Sequence, residues 1–214
     1  MSIAQRAMQH PLLAPVYERA WRPVWFLSAM AFDVPHFLHE KEKAVRALGL
    51  GPGHRVLDVA CGPGNFTREY ADAVGPAGRA VGVDLSMPMV RRAVTHNGDT
   101  GASYVLGSAH ALPFEDDTFD AVACHGALYL IPEPFRVVDE LVRVVRPGGR
   151  LAVMAAVASE TAGFRRLAQR VVGPSGLRVF APETVPARLG LAGFREIESE
   201  THGFFQYVAG TAPG

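Results

Sequence analysis

Lysine is nearly missing. Of 21 basic side chains only Lys41 and Lys43 are lysines, and the arginines are scattered rather than clustered. Against 21 acidic residues this leaves a formal net charge of zero, which argues against the basic face that nucleic-acid binders carry, so no nucleic acid is expected as a partner. Cysteine is just as scarce. Cys61 and Cys124 cannot make a disulfide framework, and no C-x-x-C spacing marks a metal site, so no metal is expected. Both follow apolar runs, where free cysteine behaves as a small hydrophobe, which suits a reduced, cytoplasmic setting. Long apolar runs are missing too: no stretch reaches the ~18 uncharged apolar residues a spanning helix needs, so no integral membrane segment is expected. The most apolar N-terminal piece, Pro23–Phe32, is too short and reads as a buried or lid segment. No secretory signal is expected, since His10, Pro11 and Pro15 interrupt the first residues and Glu18 and Arg19 follow.

What is present is an ordinary globular composition, 49% hydrophobic and 20% charged over 214 residues, a length that suits one domain. From Arg55 onward apolar strands alternate with amphipathic helices. The strands are expected at Arg55–Ala60, Ala80–Val83, Ser103–Leu106, Phe119–Ala123 and Arg150–Val157. Helices are expected at Pro63–Val74, Met87–His96 and Phe135–Val145, the last with Phe135, Val138, Leu141, Val142 and Val145 on its apolar face. Arg146-Pro-Gly-Gly should stop that helix and turn the chain. Such alternation implies an α/β fold, a doubly wound, Rossmann-like and mostly parallel sheet with helices on both faces. Further helices are expected at Glu40–Leu48, Ala162–Val172 and Glu183–Leu189, and strands near Arg195–Ser199 and Phe204–Ala209, bringing the sheet to seven strands. The chain divides into an N-terminal helical lid or cap, 1–38, and a core, 39–214, with a short insertion after the fifth strand at about 158–182.

The turn after the first strand reads VLDVACGPGNFT. Gly62 and Gly64 would let backbone pass close to a ligand over the carboxyl end of the strand, where open α/β sheets bind ligands. Taken alone, those glycines could equally serve turn geometry. The second strand ends VGVDLS, with Asp84 twenty residues beyond Gly64. An acid at that tip can accept both hydroxyls of a ribose, so a nucleoside-containing ligand is expected; a plain surface aspartate is the alternative. A dinucleotide fingerprint would need a third glycine at position 67, which is Thr67, and Asp58 beside the turn suits a cationic ligand better than a polyphosphate.

At this point the chain resembles the class I S-adenosylmethionine-dependent methyltransferases of the small-molecule type that includes the quinone-biosynthesis enzymes. The resemblance is carried by VLDVACGPG, VGVDLS, GSAHALPFEDDTFDAV, IPEP and RVVRPGGRLAV, in order from Arg55 to Val153. It implies S-adenosyl-L-methionine as cofactor and S-adenosyl-L-homocysteine as product. It places Ala60, Gly62 and Gly64 around the methionine moiety, with Asp58 near its amino group. Asp84 would take the ribose hydroxyls, Leu85 and Met87 would flank the adenine, and Ala109 with His110 would cover its other side. Two positions depart from the pattern: Ala60 stands where relatives have the first glycine of the turn, and Ser108 where they often carry an aspartate for the adenine amino group.

Methyl transfer from a sulfonium needs alignment above all, and near-attack geometry can be worth ~7–11 kcal/mol. Candidate groups should sit above the ends of the fourth and fifth strands, where FDAVACHGALYLIPEP supplies His125 and Tyr129. His125 could remove a proton, contact cofactor or be structural. Tyr129 could orient an acceptor oxygen or cover the cofactor. His36 and His39 could reach the site if the N-terminus folds over it, but a helix surface is the expected place for both. Trp21, Trp25, Phe26, Met30, Phe32 and Phe37 could pack the core or line an apolar acceptor pocket. Arg165 and Arg166 could hold an acidic group or lie exposed. The expected partner is a small-molecule methyl acceptor, with a homodimer also open. The expected function is methyl transfer to oxygen or carbon of a small, largely apolar molecule. Non-methylating chemistry in the same pocket, such as cyclisation, or binding alone is the alternative, with a nicotinamide-dependent oxidoreductase more remote.

Overall fold

A computed structural model describes residues 33–157 and 178–214. Helix α1 spans Val34–Ala47, and strand β1 (Arg55–Val59) leads to α2 (Asn65–Val74). There follow β2 (Arg79–Asp84), α3 (Met87–Asn97), β3 (Ala102–Leu106) and β4 (Phe119–Cys124). A single 3₁₀ turn at Leu128–Leu130 precedes α4 (Pro134–Val144) and β5 (Val145–Ala156). The chain closes with α5 (Thr184–Leu191), β6 (Arg195–His202) and β7 (Phe205–Thr211). These strands form one seven-stranded sheet in the order β3-β2-β1-β4-β5-β7-β6, parallel except that β7 runs against both β5 and β6. This is the mostly parallel, doubly wound sheet that the strand–helix alternation implied. Strand order reverses between β1 and β4, and open α/β sheets bind ligands at the carboxyl ends beside such a reversal.

The core follows from strands apolar on both faces. Val56, Leu57 and Val59 of β1 and Ala121, Val122 and Ala123 of β4 are completely buried, as parallel strands covered by helices must be. The edge strand β6 instead exposes Glu196, Glu198 and Glu200, charges that deter pairing with another chain. Among the described residues no helix is long and apolar enough to cross a membrane.

Several boundaries differ from the sequence expectation. Helix α1 begins at Val34, ahead of Glu40, because Asp33 caps it by accepting the His36 N–H at 3.0 Å and Pro35 suits its first turn. The buried face of α4 is Val137, Val138, Leu141 and Val144, while Phe135 is exposed, so the apolar stripe is rotated from the expected one. Arg146-Pro-Gly-Gly does end α4 but makes no free turn. It forms a bulge inside β5, where pairing jumps from Phe119↔Val145 to Ala121↔Arg150. Gly149 is required there, since a Cβ would come within 2.8 Å of the Asp120 carbonyl oxygen. The expected helix at Ala162–Val172, Arg165 and Arg166, and the aromatic group from Trp21 to Phe32 lie outside the described residues. Of that group Phe37 is described, packed against the main core from α1.

Candidate cofactor site

The turn after β1 is bent by three residues with little or no side chain. Ala60, Gly62 and Gly64 all take positive φ, at 58°, 55° and 82°. Gly64 caps α2, and the Cys61 N–H donates to the Val83 carbonyl at 3.0 Å, fastening the turn to β2. The two glycines serve different ends. A Cβ at Gly64 would lie 2.5 Å from Tyr104 Oη, so the space beside it is filled by the protein's own ring. A Cβ at Gly62 would meet nothing within 4 Å, so Gly62 faces open space. Ala60 occupies the left-handed region at a cost that a glycine would avoid.

Asp84, at the end of β2, accepts the Gly62 N–H on one carboxylate oxygen and the Ser86 N–H on the other, each at 2.8 Å. The acid and the glycine turn are thus one rigid unit, and each oxygen keeps a lone pair. Burial raises the Asp84 pKa, opposed by these two bonds. Asp58 is buried more deeply, and Thr67 Oγ1 donates to it at 2.6 Å. Burial pushes the Asp58 carboxyl up to about 7, with the nearby Asp84 charge adding to the effect. Thr67, which breaks the dinucleotide fingerprint, is therefore the side chain that orients Asp58.

Beyond Asp84 the surface turns apolar where exposed side chains are usually polar. Leu85 is 70% and Met87 42% exposed, and Ser86 Oγ between them is buried without a hydrogen-bond partner. Across from them the Ser108–His110 segment is half-buried. Ser108 Oγ accepts the His110 N–H at 3.2 Å, and His110 Nε2 donates to the Pro132 carbonyl at 2.6 Å. This segment is anchored to α4. Glu140 accepts the Leu112 N–H at 2.7 Å, and Arg143 donates to the carbonyls of Phe114 and Leu112 at 2.8 and 3.1 Å. An open glycine, a two-oxygen acid, an exposed apolar pair and a buried carboxyl together fit a nucleoside that also carries a cation.

His125 follows β4 on the side of the sheet covered by α1 and α2. It is buried, its Nδ1 lies 3.1 Å from Tyr70 Oη, and its ring stacks on Phe66 at 5.1 Å between centroids. Burial pushes its pKa down to about 4, so it is neutral at physiological pH and a weak base. Tyr129 is buried in the main core with its ring 5.7 Å from Phe205. His39 lies on the exposed face of α1, as expected, bonded to the Pro35 carbonyl at 2.9 Å. His36 does not: it is buried, stacked on His202 at 3.6 Å, and lines a cavity of about 370 Å³ together with His125 and Tyr207. Tyr207 Oη donates to Glu40 at 2.8 Å. Sequence patterning missed Tyr70, Tyr207 and Glu40, which no local motif marks. Asp33, His36 and His202 bring metal-ligating atoms within 4.8 Å of one another. His202 Nδ1 is engaged by Asp33 at 2.7 Å, and the His36 and His202 imidazoles are stacked.

The family model of a methyltransferase domain matches residues 57–153, the span that contains the turn, Asp84, Ser108 and His125. Residues 57–153 are a methyltransferase domain. Around this methyltransferase domain the chain is similar to the demethylmenaquinone methyltransferase of Bacillus cytotoxicus, at 35% identity over 130 residues, covering 59% of this chain and 55% of that protein. The chain thus spans about half the length of the curated relatives it matches. Among solved structures it resembles a SAM-dependent methyltransferase from Aquifex aeolicus, with a TM-score of 0.65 at 23% identity, covering 86% of this chain and 96% of that one. It also resembles the [4+2]-cyclase SpnF, with a TM-score of 0.68 at 21% identity, covering 82% of this chain and 81% of that one. At these identities the structural likenesses speak to the fold of the methyltransferase domain alone.

Proposed function

We propose that this protein is an S-adenosylmethionine-dependent methyltransferase that delivers a methyl group to an oxygen or carbon of a small, largely apolar molecule. The observation that carries this is the unit made by Asp84 and Gly62, a carboxylate tied at 2.8 Å to a turn that leaves open space above it. Asp84 takes the ribose hydroxyls with the lone pairs its backbone bonds leave free. Leu85 and Met87 flank the adenine, and Ser108, Ala109 and His110 border its other edge. The methionine end lies over Gly62 in the turn shaped by Ala60 and Gly64, with Asp58 turned toward its ammonium. When bound, the cofactor supplies an electrophilic methyl group on a sulfonium sulfur. The chain's own residues hold it and the acceptor in line, and His125 faces the acceptor while Tyr129 backs the wall from the core. Alignment of this kind can supply ~7–11 kcal/mol of the barrier.

The names of the curated relatives point to a hydroquinone-type ring as acceptor, in keeping with a small and largely apolar substrate. The test is incubation with methyl-labelled cofactor and a panel of acceptors that includes demethylmenaquinol. Label recovered in a small molecule supports the proposal. Tight cofactor binding with no label transferred to any acceptor would favour non-methylating chemistry such as cyclisation.

A further inference from the structure

Among the described residues, the hydrogen bond that holds the His125 ring is the one between its Nδ1 and Tyr70 Oη, at 3.1 Å. Which of the two atoms carries the shared proton follows from where each would otherwise leave a proton. Tyr70 is wholly buried on α2 in the apolar cluster beneath α1. Burial holds its phenol well above the ordinary value, so the hydroxyl keeps its proton. If Tyr70 donates, that proton is satisfied by Nδ1 and the ring proton sits on Nε2. If Nδ1–H donates instead, the Tyr70 proton is stranded in an apolar interior. A buried donor without an acceptor costs enough to bias a tautomer ratio by about tenfold or more. Phe66, stacked nearly parallel to the imidazole at 14°, opposes rotation of the ring out of this arrangement.

We propose that Tyr70 is a positioning residue that locks His125 as the Nε2–H tautomer. His125 then meets the methyl acceptor as a hydrogen-bond donor rather than as a base, and the acceptor is an enolate or phenolate that sheds its proton to solvent before docking. This rests on the methyl-transfer function above. The ring lines the cavity of about 370 Å³ between α1 and the sheet, whose walls include Ala44, Ala152 and Tyr207. An oxyanion entering that space finds in His125 a neutral donor, and a hydrogen bond to an ionised acceptor is stronger than one to a neutral group. The chemistry balances without a proton moving at His125. The acceptor's electron pair forms the new bond to the methyl carbon as the methyl–sulfur bond breaks, and that bond's pair stays on sulfur. The negative charge of the acceptor and the positive charge of the sulfonium are both discharged in the same step.

The direct test needs neither cofactor nor acceptor. In protein labelled with ¹⁵N-histidine, long-range ¹H–¹⁵N correlation near neutral pH should show His125 with Nδ1 unprotonated and Nε2 protonated. In Tyr70→Phe the Nδ1 resonance should move toward that of a nitrogen with no hydrogen bond. A protonated Nδ1 in the wild-type protein overturns the proposal. The second test uses demethylmenaquinol as probe, with cofactor affinity as the check on folding. His125→Gln keeps a donor near Nε2 but cannot take up a proton, and should hold kcat within about tenfold of wild type, whereas His125→Ala falls much further. Equal loss in both variants, with cofactor affinity intact, means that His125 acts as a base and overturns the proposal. If the wild-type protein transfers no methyl group to any acceptor, the assigned function fails, and the tautomer measurement still decides the role of Tyr70.

Discussion

Asp58→Asn should make the cofactor-free protein more stable at alkaline pH, although it removes a hydrogen-bonded charge from the interior. The reasoning starts from burial. Asp58 has its carboxyl pushed from an ordinary 3.8 to about 7, chiefly by loss of hydration. Between those two values the folded chain holds a proton that the unfolded chain has released. The stabilisation from the neutral carboxyl is therefore complete below 3.8, falls as pH rises, and is gone above about 7. A difference of that size corresponds to on the order of 4 kcal/mol. Relaxation and water entry around an ionised group should reduce it to roughly 2 kcal/mol in practice. Asparagine avoids the penalty, and its side-chain oxygen can still accept the Thr67 hydroxyl bond that Asp58 receives at 2.6 Å. Urea unfolding at about pH 8 should show the variant stabilised by roughly 2 kcal/mol, worth about 4–8 °C in Tm for a chain of this size. At about pH 5, where the folded wild type already carries the proton, the gain should shrink by more than half. Saturating S-adenosylmethionine should reverse the order, since the wild-type carboxylate then faces the ligand's ammonium and the asparagine side chain offers no charge. A variant equal to or weaker than wild type at alkaline pH without cofactor would refute the burial argument.

Asp84→Ala should weaken cofactor binding by one to two orders of magnitude in calorimetry, because two charge-assisted bonds of ~1.5–3 kcal/mol each are lost and water replaces them in part; an unchanged affinity would sink the ribose assignment. Gly64→Ala should destabilise the fold by about 2 kcal/mol or more, since strain at positive φ adds to a Cβ placed 2.5 Å from Tyr104 Oη. Gly62→Ala meets no such clash, and should cost only about 1 kcal/mol in denaturant unfolding while lowering cofactor affinity. Ala60→Gly relieves a strained φ of 58°, and its stability should lie within about 1 kcal/mol of wild type, because the added chain entropy of glycine offsets the relief. Arg143→Ala releases the carbonyls of Leu112 and Phe114, and should cost about 1–3 kcal/mol and weaken cofactor binding through the loosened Ser108–His110 segment.

The elements that the sequence determined unaided are those encoded by short-range periodicity and by backbone geometry at single positions. The strand-like runs from Arg55 to Val157, the glycine turn and the placement of Asp84 at the next strand tip depend on neighbours a few residues apart, and the sheet carries all of them in that order, with β5 beginning at Val145 rather than Arg150. Tertiary structure decided what side chains do once distant segments meet. The pairing of Tyr70 with His125 joins residues 55 apart, and that of His202 with Asp33 joins residues 169 apart. Neither separation leaves a periodic trace. Gly64 reads in the sequence as room for a ligand, but β3 delivers Tyr104 into that room. His125 reads in the sequence as a base, a cofactor contact or a structural residue, and burial beneath α1 and α2, which takes its hydration away and pushes it down to about 4, bears on that choice. Desolvation is a property of everything packed around a group. No local stretch of chain can state it.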